Sequence, residues 1–324
     1  MIWSPFVGGV LGKLCCAMFD CQGIFNHRPL ILPAISDPAQ AAAHRGRLSA
    51  ILISITSFLR GLPLFISARP KSPLRVLCMM AFDTLHRFQT AKRLPTDRLR
   101  LLAVCLDFEA AANAAFDNKD SRGKEFRTTR KLLEDAGMTA SVTEFTSRLR
   151  ELETHRPSPG GDHEQFEKVK SYREAVVRLS LGMLATTTFG LRSIDDEIRA
   201  TQSDDELNLL FRIAMQCQII DDVLDYSKDA SAGLPSFLTA SASLPQALEL
   251  TREATLGYAE VQELRHTAET FPLRLALSAV SDYARLVINL SRLTAIPQTP
   301  EHTFACACGS PLNENADIRT PTAP

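Results

Sequence analysis

The chain has 324 residues, of which 45% are hydrophobic and 23% are charged, and its formal net charge is −1. This length and composition can bury a substantial core as one large domain or two small ones. The near-neutral charge gives no support to a protein that binds nucleic acid through a broadly basic surface, so an anionic ligand must be held by locally placed cations or metal ions.

The predicted elements are all helical and follow an irregular N-terminal stretch. Residues 1–36 contain Pro and Gly without a sustained period and are expected to form a separate leader. Apolar residues then recur with helical spacing over 38–60, 71–91, 96–118, 124–136, 140–155, 164–191, 204–228, 243–268 and 271–294. Residues 296–324 are rich in Pro, Thr and Ala and are expected to be a disordered tail. The sequence therefore predicts one all-α domain over residues 37–295, a bundle of about nine or more helices.

No segment has the pattern of a secretory signal or a membrane span. The first residues lack a basic region, and Lys13 and Asp20 interrupt their apolar run. The apolar stretch 48–59 ends at Arg60 and Pro63, too early to cross a bilayer, and it is interpreted as a buried helix. The 8 cysteines are dispersed and form no CxxC pair. Such usage favours a reducing compartment, so a cytoplasmic protein is expected.

One acidic segment carries most of the chemical information. Asp221, Asp222 and Asp225 follow Gln218 in an otherwise apolar helical stretch, and Asp229 comes one turn later. Residues four positions apart share a helix face, so Asp221, Asp225 and Asp229 are expected on one side. Like charges at that spacing destabilise a helix by about 0.2–0.5 kcal/mol per pair. A bound divalent cation would remove that cost, and Mg²⁺ prefers such oxygen ligands. The alternative is a solvated acidic helix end.

Two other kinds of metal site, a di-iron site and a zinc site, have partial matches in the sequence. A ferritin-like di-iron bundle needs a Glu-x-x-His motif on each of two helices, but the chain has one match, from Glu263 to His266. A zinc site joining N-terminal cysteines such as Cys15 to Cys306 and Cys308 stays open as a further alternative. The all-aspartate motif favours Mg²⁺ and a phosphate ligand.

The segment QIIDDVLDY, from Gln218 to Tyr226, resembles the second aspartate-rich motif of trans-isoprenyl diphosphate synthases and class I terpene synthases. The stretches 172–180 and 211–217 are similar to the helix pair that leads into that motif in polyprenyl synthases. The likeness extends diffusely over residues 71 to 268. It implies an isoprenoid synthase-like fold with a central cavity lined by aspartates. It also implies an allylic prenyl diphosphate substrate, a homodimer, and about three Mg²⁺ ions bound with the diphosphate.

The first aspartate-rich motif of that family is matched only in reduced form. The candidate runs from Phe116 to Gly123 and keeps carboxylates at Asp117 and Asp120, whose i, i+3 spacing lets both face one site. Glu109, two turns earlier, is a further candidate. The alternative is that 117–125 is a charged helix end. The metal ligands expected from the two motifs are Asp117, Asp120, Asp221, Asp222 and Asp225.

Loss of diphosphate from an allylic carbon leaves a carbocation and a highly charged anion, so metal ions and basic groups must stabilise the leaving oxygen. Arg122 follows the first motif, and Arg178 lies where the resemblance implies a cation that contacts the diphosphate. These two are the expected catalytic residues. The expected substrate-binding residues are Arg173, Gln218, Lys228, Asp229, Phe116 and Tyr226. An apolar wall would keep water from the cation.

Three functions remain compatible with these motifs. A one-substrate terpene synthase, which cyclises or rearranges the cation, is favoured because it needs a single diphosphate site. A chain-elongating prenyl diphosphate synthase must also bind isopentenyl diphosphate, but the family's upstream basic segment is matched only faintly by 71–75. A catalytically silent helical subunit that regulates a true synthase is the third, since the first motif is reduced.

Overall fold

Ten α-helices and no strand make up the residues that the computed structural model describes, which are 73–117, 123–190, 193–203, 205–260 and 271–294. This confirms the predicted all-α class. The helices are α1 (Pro73–Thr90), α2 (Thr96–Asp117), α3 (Gly123–Asp135), α4 (Thr139–Thr154), α5 (His163–Phe189), α6 (Ile194–Ser203), α7 (Asp205–Leu224), α8 (Tyr226–Ala232), α9 (Leu244–Ala259) and α10 (Phe271–Thr294). The predicted leader, the helix 38–60 and the C-terminal tail lie outside the described residues.

Helix α5 is the centre of the bundle. It begins at the N-cap Asp162, whose carboxylate accepts the backbone N–H groups of Glu164 at 3.1 Å and Gln165 at 3.2 Å. Every side chain from Leu179 to Thr188 is buried, so the helix is covered on all sides along this stretch. It packs against α1, α2, α4, α6 and α7. The apolar residues around most of its circumference are typical of such a central helix.

Helix α6 was not predicted from the sequence, and it packs against α5 at Gly182. A Cβ atom at position 182 would lie 3.1 Å from Ile198 Cγ1 and 3.3 Å from the Ile194 carbonyl oxygen. This close approach requires glycine, because a side chain would push the two helices apart.

Gly182→Val is therefore expected to lower the unfolding midpoint by about 3–10 °C, the effect of an overpacking cost of about 1–3 kcal/mol. Gly257→Val in α9 is the matched control, because no atom lies within 4 Å of a Cβ built there. Thermal unfolding followed by circular dichroism measures both. An equal midpoint change in the two variants would contradict the assigned packing.

Helices α2 and α5 run antiparallel, and their register brings the end of α2 toward the acidic helix α7. Arg98 Nη1 donates to the Thr187 carbonyl at 3.3 Å near the start of α2, and Glu109 lies near Ser180, which lowers its pKa, further along. Both helices rise about 1.5 Å per residue. The C-terminal end of α2 at Asp117 consequently comes level with residues 168–172 of α5, in the turn or two before Arg173.

Candidate functional site

The acidic segment crosses the junction between α7 and α8. Helix α7 ends at Leu224 and α8 begins at Tyr226, so the single predicted helix 204–228 is divided at Asp225. The Asp225 N–H nevertheless donates to the Asp221 carbonyl at 2.8 Å, and the Asp229 N–H donates to the Asp225 carbonyl at 2.9 Å. The chain therefore keeps a near-helical path, and these three aspartates follow one another at intervals of one turn.

Glycine and proline then end α8. Gly233 has φ 62° and occupies the left-handed region, which an L side chain adopts only with strain. The Leu234 N–H donates to the Asp229 carbonyl at 2.9 Å, which completes a Schellman C-cap. Pro235 follows and cannot continue the helix. The chain leaves α8 as a non-helical segment, residues 234–243, in which residues 235–241 are buried.

Three of the carboxylates are buried. The exposed fractions are 3% for Asp221, 1% for Asp222 and 4% for Asp229, while the Asp225 side chain is 17% exposed. Burial raises the pKa of Asp221 to about 7, with a further contribution from the charges of Asp222 and Asp225. Burial and the charge of Asp222 raise the pKa of Asp229 to about 6. The protein environment therefore opposes the simultaneous ionisation of Asp221, Asp222 and Asp229.

Arg173 is the basic side chain that faces these buried carboxylates. Its Nη2 atom donates to Asp222 Oδ1 at 3.0 Å and to the Pro235 carbonyl at 2.9 Å, and the side chain is 9% exposed. Its charge also lowers the pKa of Asp221 and Asp229, against the effect of their burial. The guanidinium thus forms an ion pair with Asp222, while Asp221 and Asp229 feel its charge without contacting it and have raised pKa values.

Gln218 and the backbone of segment 234–243 complete the surroundings of Asp222. The Gln218 Nε2 group donates to Asp222 Oδ1 at 2.6 Å, and the Phe237 N–H donates to Asp222 Oδ2 at 2.8 Å. Burial raises the pKa of Asp222, while Arg173 and these two N–H donors oppose that rise. Sequence reasoning missed Phe237 because a backbone donor carries no signal in residue type.

Two buried polar atoms beside this cluster have no hydrogen-bond partner among the described residues. They are Arg173 Nε, a donor, and Gln218 Oε1, an acceptor. Buried polar atoms in native proteins are nearly always satisfied, so unsatisfied ones indicate a missing partner such as a ligand or an ordered water. The cluster therefore retains hydrogen-bonding capacity beyond its own internal contacts.

Arg178, an expected catalytic cation, points into a different part of the bundle. Its guanidinium lies 3.6 Å from the centre of the Phe211 ring, a cation–π contact. The two side chains line a cleft of about 560 Å³ between α5, α7 and α9, together with Tyr258. Tyr258 packs edge-on against Phe211 at 6.2 Å and donates to Glu174 at 2.7 Å. The aspartates of the acidic segment are not among the lining residues of this cleft.

The other predicted site residues are placed less centrally. Lys228 is 53% exposed, and its Nζ atom lies 3.5 Å from Asp225 Oδ2. Tyr226 and Phe116 are half-buried and pack against the main apolar core. Asp120 and Arg122 lie outside the described residues. Helix α2 ends at Asp117, whose side chain is also outside the described part of the structure. The catalytic role of Arg122 and the metal-binding roles of Asp117 and Asp120 therefore stay predictions.

Glu109, the weaker candidate on α2, is a buried acid within the bundle. It is 4% exposed, and burial raises its pKa well above the ordinary value. The Cys105 thiol donates to Oε1 at 3.7 Å, while Oε2 has no partner among the described residues. Its charge also contributes to the raised pKa of the half-buried Cys78, after desolvation and Cys217. Glu109 thus lies where α1, α2 and α7 converge.

Comparison with known proteins finds no matching family, no similar curated protein and no similar solved structure. None of the helices in the described ranges is long and apolar enough to cross a membrane. Within the same ranges, no three His, Cys, Asp or Glu side chains converge closely enough to hold a metal ion by themselves. Mg²⁺ commonly uses only one or two carboxylates, with substrate phosphates and water as its other ligands.

Proposed function

We propose that the chain is a Mg²⁺-dependent class I terpene synthase-like enzyme, which ionises a linear allylic diphosphate and cyclises or rearranges the carbocation. The observation that supports this best is the group of buried carboxylates around Arg173. Asp221, Asp222 and Asp229 are all buried beside this one guanidinium. Buried charges of like sign are costly unless they are paired. A divalent cation beside Asp221 and Asp225 would supply the missing positive charge.

The protein groups available at this site suit a hydrated metal and a diphosphate. Asp221 and the half-buried Asp225 offer carboxylate oxygens one helical turn apart. The unsatisfied Arg173 Nε–H offers a donor to a phosphate oxygen or to water. Lys228, exposed beside Asp225, can reach a phosphate from the solvent side. Mg²⁺ would act at this site as a Lewis acid for the leaving diphosphate.

The helical register supports a contribution from the first motif. The antiparallel packing of α2 on α5 brings the α2 C-terminus at Asp117 level with residues 168–172, close to Arg173, which in turn contacts Asp222. An isoprenoid synthase-like cavity with carboxylates from two helices would need this arrangement. The proposal therefore assigns Asp117 and Asp120 to the opposite side of the same diphosphate site.

Inorganic pyrophosphate with Mg²⁺ is expected to raise the thermal unfolding midpoint by about 5 °C or more. A ligand present at about 100 times its Kd stabilises the folded state by about 2.7 kcal/mol. Differential scanning fluorimetry with Mg²⁺ alone, pyrophosphate alone, both together, and both with excess chelator measures the effect. An unchanged midpoint with both present would contradict the proposed metal–diphosphate site.

The reaction is tested by incubation with Mg²⁺ and geranyl, farnesyl or geranylgeranyl diphosphate, each with and without isopentenyl diphosphate. Cyclic or volatile products from one substrate alone are the expected result. Longer diphosphates that form only with isopentenyl diphosphate would instead establish a chain-elongating synthase.

A silent subunit is the second candidate, and the placement of two arginines favours it. Arg173 is bound to Asp222, and Arg178 lies over Phe211 in another cleft. Both cations that were expected to contact the diphosphate thus have other neighbours. Stabilisation by Mg²⁺ and pyrophosphate without release of diphosphate from any allylic substrate would favour this candidate over the enzyme.

A further inference from the structure

Asp222 differs from its neighbours in the acidic motif because all of its contacts are internal. Its Oδ1 atom accepts from Arg173 Nη2 at 3.0 Å and from Gln218 Nε2 at 2.6 Å, and Oδ2 accepts the Phe237 N–H at 2.8 Å. A carboxylate has about four acceptor positions, so three of them are in use. With 1% of the residue exposed, the remaining position has no open approach.

The contacts of Asp222 join three parts of the chain that are distant in sequence. Arg173 comes from α5, Gln218 from α7, and Phe237 from segment 234–243. Arg173 adds a second link to that segment through the Pro235 carbonyl at 2.9 Å. We call Arg173, Gln218 and Asp222 the polar latch.

Segment 234–243 depends on such links because it is buried without being helical. Its Thr239 carbonyl accepts the Gly160 N–H at 2.6 Å, and its Ala242 N–H donates to the Gly161 carbonyl at 2.9 Å. The Phe237 ring is fully buried and packs edge-on against Phe166 with centroids 5.8 Å apart. A buried backbone needs a partner for each polar group, and Asp222 supplies the one for Phe237.

We propose that Asp222 is a positioning residue rather than a metal ligand, and that the polar latch fixes both Arg173 and segment 234–243 beside the metal carboxylates Asp221 and Asp225. This inference rests on the proposed function for the identity of those carboxylates. The three acids of the motif, Asp221, Asp222 and Asp225, thus have two different roles. The acid with the most internal hydrogen bonds holds the site together, and the other two face the ligand.

The position of Arg173 explains why such a latch matters to the site. Its guanidinium is the fixed positive charge near Asp221 and Asp229, and Asp222 and the Pro235 carbonyl hold one of its nitrogens in place. Without Asp222 the arginine would lose the carboxylate with which it forms an ion pair, and with it a fixed orientation. The buried Nε–H, which has no partner among the described residues, would then no longer have a fixed position.

A double-mutant cycle on Asp222→Asn and Arg173→Met tests the pairing by thermal unfolding. Each single variant is expected to lower the midpoint by about 6 °C or more, because each leaves a buried polar group without its partner. The double variant is expected to lose clearly less than the sum of the two. Additive losses, or an unchanged midpoint in Asp222→Asn, would overturn the latch. A residue that stabilised the fold independently of Arg173 would give additive losses.

The second measurement separates a positioning residue from a metal ligand. Calorimetric titration of Mg²⁺ in the presence of inorganic pyrophosphate is expected to give a smaller rise in half-saturation in Asp222→Asn than in Asp221→Asn, because Asp222 acts on the ligand only through Arg173. Asp221→Asn, the matched neighbour, is expected to raise half-saturation at least about tenfold. An equal loss of Mg²⁺ binding in the two variants would overturn the assignment while leaving the proposed function intact.

A milder variant keeps the test decisive if Asp222→Asn does not fold. Gln218→Met removes one donor to Asp222 and keeps the ion pair, so a smaller midpoint loss and a smaller rise in Mg²⁺ half-saturation than in Asp221→Asn are expected. A large loss of Mg²⁺ binding in a stably folded Gln218→Met protein would count against the latch. If wild type shows no binding of Mg²⁺ with pyrophosphate, the proposed function fails, while the unfolding cycle still decides whether the latch exists.

Discussion

Asp221→Asn is expected to reduce metal-dependent diphosphate release at least about 100-fold while leaving the helical bundle folded. Asp221 is 3% exposed and lies one turn before Asp225, with no latch contact of the kind that occupies Asp222. Removing a ligand that helps to neutralise the leaving group lowers the rate of ionisation by this order. Asparagine preserves the side-chain shape, so the loss reports on charge and metal affinity.

The same substitution is expected to raise the unfolding midpoint in metal-free buffer at pH 8. The charges of Asp222 and Asp225 act against an ionised Asp221, and burial opposes its ionisation most strongly. Loss of function combined with a gain in stability is typical of a residue selected for its ligand. Asp135→Asn, at an exposed site on α3, is the control, and neither activity nor midpoint should change. Wild-type turnover in Asp221→Asn would refute the assignment of the metal site.

Glu109→Gln is expected to stabilise the protein at pH 8 by about 5 °C or more in unfolding midpoint and to have little effect near pH 4.5. The pKa of Glu109 in the folded protein lies well above its ordinary value of 4.5, mainly because the carboxyl is buried. The folded state therefore binds this proton more tightly than the unfolded state. Its contribution to stability is fully present below about pH 4.5 and is lost as the pH rises toward the folded-state pKa.

Glutamine is neutral at every pH and has nearly the shape of the protonated acid, so the variant avoids that loss. Unfolding midpoints of both proteins, measured in buffers from pH 4.5 to pH 8, give the difference as a function of pH. Glu151→Gln on α4 changes an exposed glutamate and serves as the control. A constant difference across the pH range would show that the carboxyl of Glu109 does not titrate between the folded and unfolded states as expected.

The helices could be predicted from the sequence where the apolar period is long and regular. Helix α10 has the predicted bounds, 271–294. The Pro- and Gly-rich residues 157–161 correctly mark the start of α5. Helix α6 could not be predicted in this way, because its 10 residues are mostly polar and its packing depends on Gly182 in another helix. Short helices of this kind are set by tertiary contacts rather than by local pattern.

The acidic motif could be located from sequence, but the different surroundings of Asp221 and Asp222 could not be predicted from it. The family resemblance gives Asp221 and Asp222 the same metal-binding role, and their spacing shows only that they point to different sides of the helix. Their difference comes from Arg173, which is 49 residues from Asp222 in sequence, and from a backbone N–H at Phe237. Arg178 shows the same limitation, since its partner Phe211 is chosen by the packing of α5 on α7.

The buried segment 234–243 has a consequence for how the protein reaches its folded state. Its contacts pair Thr239 with Gly160, and Pro235 with Arg173, across 79 and 62 residues of chain respectively. Contacts between such distant residues form after local helices, because closing long loops costs chain entropy before the contact is gained. We therefore expect the surroundings of Asp222 to assemble after the local helices have formed. A chain that has formed its helices but not this closure would possess the acidic motif without the fixed charge of Arg173 beside it.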